Sequence, residues 1–311
     1  MRRFGTLALV SSVLALVVIV AVGSSRQALA VGTQTRTFVA TTGSDANPCT
    51  RVAPCRTFGA ALAQTASGGE IVALDSGGYG AVTITQAVSI AAAPGVQASI
   101  SPASGNAIAV AAGPTDKVTL RNLQLNGQGA THGVIFTAGG ALFIDNLTIN
   151  GFGGHGIFMS VSSDASLYVA DTVVRGSGDG IHLESDSDFL TATVVRTRLE
   201  ANAANGLFAA TNSHVTVKDT VAVGNGAGFY TGPGDMTLEG CVATDNLTGI
   251  IAANSIGNQF TAIARVSNCI VTGNVFGWSA GVNGGSVVSR GNNTLEGNTF
   301  ANTFTGSYSP K

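Results

Sequence analysis

The chain has 311 residues and a formal net charge of −2, and only 10% of its residues are charged, against about 25% in an average globular chain. It contains no run of basic residues, so the sequence predicts neither a nucleic-acid partner nor binding to an anionic lipid surface. The 42 glycines are about twice the usual share. Together with many Val, Ile, Thr, Ser and Asn residues, they favour short stacked strands with tight turns over helices.

Residues 1–30 have the three parts of a secretory signal peptide. Two arginines near the start are followed by an uncharged apolar run over 7–22, and Ala28 and Ala30 supply the small residues of a cleavage site. The apolar run is nearly long enough to span a membrane, so an uncleaved anchor is the alternative. We therefore expect a mature chain that begins near Val31, has no membrane span after cleavage and is exported, either secreted or periplasmic.

Residues 31–68 are predicted to cap the N-terminal end of the fold. Cysteines of an exported chain are first expected to form disulfides, and a bond between Cys49 and Cys55 would contribute about 2 kcal/mol in the chain-entropy model. Residues 57–63 have the pattern of a short helix with Thr57 as its N-cap. Such a cap is expected because the end layer of a stacked solenoid is otherwise open to water.

Residues 69–311 carry a repeat with a period in the low twenties. A glycine followed by an apolar residue recurs at intervals of 23, 24, 26, 22, 21 and 28 residues. These glycines are Gly133, Gly156, Gly180, Gly206, Gly228, Gly249 and Gly277. Alternating apolar and polar residues between them indicate three short strands per repeat. Repeats of this length stack as solenoids, and parallel crossovers are right-handed by strong preference. We therefore predict an all-β, single-stranded, right-handed parallel β-helix with three short strands per coil and a short N-terminal capping helix.

Three features of the repeat are interpreted as structural. Asn or Asp interrupts the alternating runs where tight bends are expected, at Asn122, Asn146, Asp171, Asp219 and Asn268. A second set is expected to stack its amides as an internal ladder rather than to bind sugar, and it consists of Asn202, Asn225, Asn246, Asn274 and Asn298. Cys241 and Cys269 hold equivalent places in consecutive repeats and are expected to point inward, about 4.8 Å apart. Whether they are bonded is left open.

The N-terminal half contains further recognisable segments: residues 38–45 (FVATTGSD), 54–57 (PCRT), 68–72 (GGEIV), and Gly78 with Tyr79. Together with the coils that follow, these segments resemble bacterial right-handed parallel β-helix proteins of the pectate-lyase-like superfamily. The resemblance covers essentially all of the mature chain and implies the same fold. It implies no single activity, because that superfamily contains lyases, hydrolases, epimerases, phage spikes and adhesins.

The third strand of each coil presents a column of outward side chains. The residue after each glycine is expected to point into the core, so the next residue points outward. In chain order these outward residues are Ile135, Phe158, His182, Phe208, Tyr230, Ile251 and Ser279. Exposed rings about 4.8 Å apart would form a flat strip on which sugar rings stack. Phe158, Phe208 and Tyr230 are therefore predicted to bind substrate, and packing under a loop or against a partner is the alternative.

Beside this strip the sequence concentrates groups suited to acid–base chemistry. A second column, directly before the glycines, consists of His132, His155, Asp179 and Asn205. The candidate catalytic residues are His155, Asp179, His182 and Glu184. Asp179 and Glu184 would be the two carboxyl groups that glycoside hydrolysis requires, and either histidine would be the base of a lyase.

The same region offers two sets of metal ligands. Glu184, Asp186 and Asp188 carry oxygen atoms suited to Ca²⁺, but an acidic run in a loop is ordinarily solvated. His132, His155 and Asp179 of the second column are zinc ligands by type. Their spacing is the only argument for zinc. The sequence therefore predicts no cofactor and no metal site, with Ca²⁺ at the acidic run as the alternative.

The motifs of the superfamily's enzymes are incomplete in this chain. Residues 154–157 (GHGI) resemble the histidine segment of polygalacturonase-like hydrolases, but Gly180 stands where a second aspartate is expected after Asp179. The calcium-binding aspartates of pectate lyases and the Asp-Pro-His segment of alginate epimerases cannot be located. We predict a protein that binds or processes an extracellular polysaccharide, as a lyase or glycoside hydrolase if it is an enzyme. The alternative is a non-enzymatic surface, matrix or adhesin-like interaction protein.

Overall fold

In the residues that the structure describes, each coil contributes one strand to each of three parallel β-sheets. The computed structural model describes residues 32–185, 190–210, 212–254, 261–281, 283–300 and 303–309. The predicted signal peptide, and Asp186 and Asp188 of the Ca²⁺ alternative, lie outside these ranges. No helix within the described ranges is long and apolar enough to cross a membrane.

The three sheets are numbered in the order in which a coil visits them. Sheet 1 is formed by Gln34–Val39, Thr65–Ala73, Val88–Ala92, Lys117–Arg121, Ala141–Asp145, Ala165–Ala170, Leu190–Val195, Ser213–Lys218, Gly234–Glu239, Ala262–Ser267, Ser286–Ser289 and Gly306–Ser307. Sheet 2 is formed by Gly77–Gly78, Ala98–Ile100, Leu123–Asn126, Thr148–Asn150, Val173–Arg175, Arg198–Glu200, Val221–Val223, Val242–Thr244, Ile270–Thr272 and Thr294–Leu295. Sheet 3 is formed by Val82–Ile84, Asn106–Ala111, His132–Ala138, Ile157–Val161, Ile181–Ser185, Asn205–Ala209, Ala227–Thr231, Thr248–Ala252 and Phe276–Ser279. This architecture confirms the predicted all-β, right-handed parallel β-helix, with about nine turns in the described part of the chain.

The register of sheet 3 aligns the repeated glycines and the apolar residues that follow them. The apolar residues pair one coil apart, in the order Val134, Ile157, Ile181, Leu207, Phe229, Ile250 and Trp278. All of them are buried in the core, which fills the interior of the winding. Glycine precedes them because the coils approach closely: a Cβ at Gly180 would lie 2.5 Å from the carbonyl oxygen of Gly206. One repeat of the sequence is therefore one coil.

The predicted bends lie between sheets 1 and 2. Their central residues have left-handed backbone with φ between 50° and 56°, at Asn122, Asn146, Asp171, Asp219 and Asn268. Asn and Asp tolerate this conformation better than most residues, because their short polar side chains bond locally to the backbone. The bends are confirmed at all five positions.

The predicted asparagine ladder lines the turn between sheets 2 and 3. From Asn202 onward, the backbone N–H and the side-chain amide of each asparagine donate to Oδ1 of the next one, at 2.9–3.0 Å. The donors and acceptors are Asn202, Asn225, Asn246, Asn274 and Asn298. The first four are buried, so the ladder is an internal structural element, as predicted.

The N-terminal end of the solenoid is covered by the helix α1, Phe58–Gln64. Thr57 is its N-cap, as predicted, and its side chain accepts a hydrogen bond from the N–H of Ala60 at 3.2 Å. Phe58 is fully buried, and its ring packs on that of Tyr79 with the centroids 5.1 Å apart. The helix thereby closes the first layer of the core.

The four cysteines form one disulfide and one pair of free thiols. Cys49 and Cys55 are bonded, as predicted. Cys241 and Cys269 are buried free thiols, and the N–H of Cys241 lies 3.3 Å from Sγ of Cys269. The second pair therefore packs as two inward-pointing apolar side chains in consecutive coils.

Candidate functional site

The outward column predicted from the repeat runs along the outer face of sheet 3. Its members pair one coil apart, in the order Ile135, Phe158, His182, Phe208, Tyr230, Ile251 and Ser279. Each is half-buried, whereas the residues before and after the members from Ile135 to Ile251 are buried, as Ile157 and Met159 are around Phe158. This alternation confirms that the column faces outward.

Rings on this face form a continuous series, which we call the aromatic ladder: His132, His155, Phe158, His182, Phe208 and Tyr230. Centroids of rings in contact are 4.4–5.3 Å apart. Within the outward column the ring planes are strongly tilted, since Phe158 meets His182 at 87° and Phe208 meets Tyr230 at 88°. The prediction of a flat strip is therefore wrong. Half-buried rings favour edge-to-face contacts with one another over a common plane.

Asp179 is the centre of the polar part of the site. Its Oδ2 lies 2.7 Å from Nδ1 of His182 and 3.2 Å from Nδ1 of His155. Its Oδ1 accepts hydrogen bonds from the backbone N–H and the side-chain amide of Asn205, at 2.9 and 2.7 Å. The side chain of Asp179 is only 8% exposed. Protein groups therefore enclose both carboxylate oxygens.

These surroundings keep Asp179 ionised. Burial by itself raises the pKa of this carboxyl group, but the imidazoles of His155 and His182 and the hydrogen bonds from Asn205 outweigh burial. They hold the pKa of Asp179 well below its usual range. An enclosed carboxylate that stays ionised is poorly suited to donate a proton to a leaving group. Its geometry suits it to orient the two imidazoles.

His132 adds a contact to the cluster that was not predicted from the sequence. Its Nδ1 accepts a hydrogen bond from the N–H of His155 at 3.0 Å, and the two rings stack at 12°. Burial, and then the charges of His155 and His182, lower the pKa of His132, which favours the neutral ring that can accept this bond. Gly154 makes room for the ring, because a Cβ there would lie 2.7 Å from Cε1 of His132. The sequence signal that could have predicted this contact is the alignment of His132 and His155 one repeat apart.

Glu184 is the most exposed of the four predicted catalytic residues, with 41% of its side chain accessible. Its Oε2 lies 3.5 Å from Nε2 of His182. The imidazole of His182 therefore lies between two carboxylates, with Nδ1 toward Asp179 and Nε2 toward Glu184. The structure brings all four predicted catalytic residues together beside the three predicted substrate-binding rings, and it adds His132 and Asn205 to the cluster.

The cluster also contains side chains that can hold a metal ion. Among the described residues, His155, Asp179 and His182 each offer one ligand atom, and these atoms lie within 4.8 Å of one another. Of the acidic run predicted as the Ca²⁺ alternative, only Glu184 lies in the described part of the chain.

The stacked parallel sheets define the class of right-handed parallel β-helix proteins. The family model described as the right handed beta helix region matches residues 75–216 and, in an overlapping match, 132–300. The chain therefore belongs to the right-handed β-helix family. None of the curated proteins matches its sequence.

Several solved structures resemble this chain at low sequence identity. Pectate lyase Pel9A has a TM-score of 0.65 and 15% identity, over 91% of this chain and 80% of that one. A rhamnogalacturonan lyase has a TM-score of 0.48 and 12% identity, over 77% and 75% of the two chains. The A-module of the Azotobacter vinelandii mannuronan C-5 epimerase AlgE6 has a TM-score of 0.44 and 13% identity, over 77% and 88%. The similarity to Pel9A shows a common fold and leaves the activity to be argued from the site.

Proposed function

We propose that the protein binds an extracellular polysaccharide along the outer face of sheet 3 and processes it at the cluster around Asp179. The observation that carries this proposal is the aromatic ladder, because its half-exposed rings extend over several coils with acid–base groups beside them. A chain of sugar rings presents a matching series of apolar faces and hydroxyl groups. The pectate lyase with the same fold acts on such a polymer, which supports the substrate class.

The exposure of the acidic groups favours particular roles in processing. Asp179 is enclosed and ionised, so it orients His155 and His182. Glu184 is accessible and lies beside Nε2 of His182, so these two groups are placed to exchange a proton with a bound sugar. This arrangement supports proton abstraction, as in a lyase or epimerase, better than hydrolysis by two facing carboxyl groups, because the oxygens of Asp179 are already occupied.

Replacing Phe208 and Tyr230 together by alanine is expected to weaken binding of the cognate polysaccharide by about tenfold or more. Each ring contributes a contact worth about 0.5–1.5 kcal/mol, and 1.4 kcal/mol corresponds to a factor of ten in the dissociation constant. A screen of acidic and neutral polysaccharides identifies the ligand, and isothermal titration calorimetry measures its affinity for both proteins.

A matched control exists on sheet 1. Phe143 and Tyr168 also lie in adjacent coils with their rings in contact, at a centroid distance of 6.2 Å, and each residue is 37% exposed. The variant with alanine at both positions is expected to bind like the parent protein. Binding lost in this control and kept in the Phe208 and Tyr230 variant would contradict the proposed surface. If no polysaccharide binds and the protein instead self-associates through the ladder, the non-enzymatic interaction protein is the better description.

The variant Glu184→Gln tests processing separately from binding. It keeps the shape of the side chain and removes its charge, so turnover of the bound polysaccharide should fall by about 10²–10⁴ while affinity changes little. New reducing ends report any cleavage of the polysaccharide, and the absorbance of unsaturated products reports cleavage by a lyase. Unchanged turnover in this variant would exclude Glu184 from the chemistry.

We also propose that the protein is exported, either secreted or periplasmic. The Cys49–Cys55 disulfide supports this, because such bonds persist in oxidising compartments. N-terminal sequencing of the protein recovered outside the cytoplasm is expected to begin near Val31. Recovery of the full-length chain in the membrane fraction would instead support the uncleaved anchor.

A further inference from the structure

We propose that His155, Asp179 and His182 form a binding site for a divalent transition-metal ion, with Zn²⁺ as the best match to its ligands. The sequence predicts no metal here, and its zinc alternative counts His132, His155 and Asp179. The fold selects a different set. His182 approaches Asp179, whereas Nδ1 of His132 accepts a hydrogen bond from the backbone N–H of His155.

The ligand atoms of the three residues lie close to one another. Oδ2 of Asp179 lies 3.2 Å from Nδ1 of His155 and 2.7 Å from Nδ1 of His182, and one potential ligand atom of each residue lies within 4.8 Å of the others. Zinc–ligand bonds of about 2.0–2.2 Å place neighbouring ligands of a tetrahedron about 3.3 Å apart. Small side-chain rotations therefore suffice to place these three groups around one ion.

His155 provides a second, independent argument. Its Nδ1 is buried and lies 3.2 Å from Oδ2 of Asp179, but among the described residues this contact lacks the geometry of a hydrogen bond. A buried polar atom whose hydrogen bonding is incomplete is destabilising. Coordination to a metal ion would satisfy it.

The groups behind the ligands hold them in place, as is usual around protein-bound metals. Asn205 donates two hydrogen bonds to Oδ1 of Asp179 and leaves Oδ2 for the ion. Glu184 lies beside Nε2 of His182, so a proton on Nε2 is stabilised while Nδ1 carries the lone pair that coordinates. His132 stacks on the ring of His155 and limits its rotation.

The ligand types select the metal. Two imidazoles and one carboxylate suit Zn²⁺ and its transition-metal neighbours, whereas Ca²⁺ and Mg²⁺ prefer oxygen ligands. The side chains of His155 and His182 are 23% and 16% exposed, so one side of the site faces solvent. Three protein ligands with an open fourth position are typical of zinc sites that bind water or substrate.

The role of the ion rests on the proposed function, but its binding does not. Beside the aromatic ladder, the ion would neutralise an acidic group of a bound sugar and increase the acidity of the adjacent carbon-bound proton. Glu184 is placed to accept that proton. Metal binding is measured without any polysaccharide. Metal binding without glycan binding would support the metal site and reject the proposed function. Glycan binding without metal binding would support the proposed function and reject the metal site.

The experiment is a Co²⁺ titration of the full mature protein after removal of metals with a chelator, followed by competition with Zn²⁺. We expect one equivalent of Co²⁺ to bind with visible absorption of a four- or five-coordinate complex, and Zn²⁺ to displace it. The variants His155→Ala and His182→Ala should each lose more than about 100-fold in affinity, since even outer-shell changes cost 10–100-fold. His155→Gln serves where the alanine variant does not fold, as judged by circular dichroism without metal.

His214→Ala is the matched control, because His214 lies 3.4 Å from Asp235 on sheet 1 and is half exposed. Its loss should leave the Co²⁺ affinity unchanged. No saturable binding, or binding that the His155 and His182 variants leave unchanged, would overturn the proposal and identify the cluster as a hydrogen-bonded network alone.

Discussion

The variant Asn246→Ala is expected to lower the free energy of unfolding by about 3–5 kcal/mol. Oδ1 of Asn246 accepts two hydrogen bonds from Asn225, and its amide donates to the carbonyl of Ala222 and to Oδ1 of Asn274. Asn246 is buried in the turn between sheets 2 and 3, so water does not readily replace these partners. Each buried donor or acceptor left unpaired costs about 1–3 kcal/mol.

Denaturant unfolding followed by circular dichroism measures this loss, and Asn150→Ala provides its control. Asn150 ends a strand of sheet 2 beside the buried Ile149 and is itself only half-buried, facing outward. Its replacement should change stability by no more than about 0.5 kcal/mol. Equal effects of the two substitutions would contradict the structural interpretation of the asparagine ladder. They would instead favour binding of sugar by its amides.

The variant Gly206→Val is expected to destabilise the fold by about 3 kcal/mol. An added Cβ at Gly206 would lie 2.6 Å from the carbonyl oxygen of Gly228 in the next coil and 3.2 Å from the side-chain nitrogen Nδ2 of Asn225. The first contact is with backbone, which can move only by opening the spacing between coils. Forcing extra atoms into a packed region of this kind typically costs about 1–3 kcal/mol, and the branched side chain favours the upper end.

Gly59→Ala is the matched control, and the expected sign is opposite. Gly59 lies within α1, and a Cβ at this position meets no atom within 4 Å. Alanine is favoured over glycine by about 0.5–1 kcal/mol in the middle of a helix, and Gly59 lies in the first turn of α1, so this variant should be slightly more stable by less than that amount. The melting temperatures of the two variants test whether the repeated glycines are required because neighbouring coils approach closely. An unchanged melting temperature for Gly206→Val would show that they are not.

The outward column could be predicted because it depends only on local rules. Strand residues alternate between the two faces of a sheet, and the spacing of Gly156, Gly180 and Gly206 fixes which residues become neighbours. Phe158, His182 and Phe208 are therefore predicted to share one outward column, and the register of sheet 3 confirms their order.

The contacts within the column could not be predicted in the same way. The tilt of Phe208 against Tyr230, 88°, depends on side-chain rotamers and on how neighbouring rings exclude water. The enclosure of Asp179 depends on Asn205, which lies 26 residues away in the sequence. Its low pKa follows from the imidazoles of His155 and His182 and from the hydrogen bonds of Asn205, which outweigh burial. The geometry of these contacts does not follow from spacing.

The winding, the capping helix, the bends, the asparagine ladder and the disulfide could all be predicted, because each follows from residue type and local spacing. Which of His132, His155 and His182 approach Asp179, and which carboxylate stays accessible, depends on how the coils pack. Those outcomes depend on distances of a few ångströms between side chains of different coils. Such distances result from the packing of whole layers rather than from the order of residues within one layer.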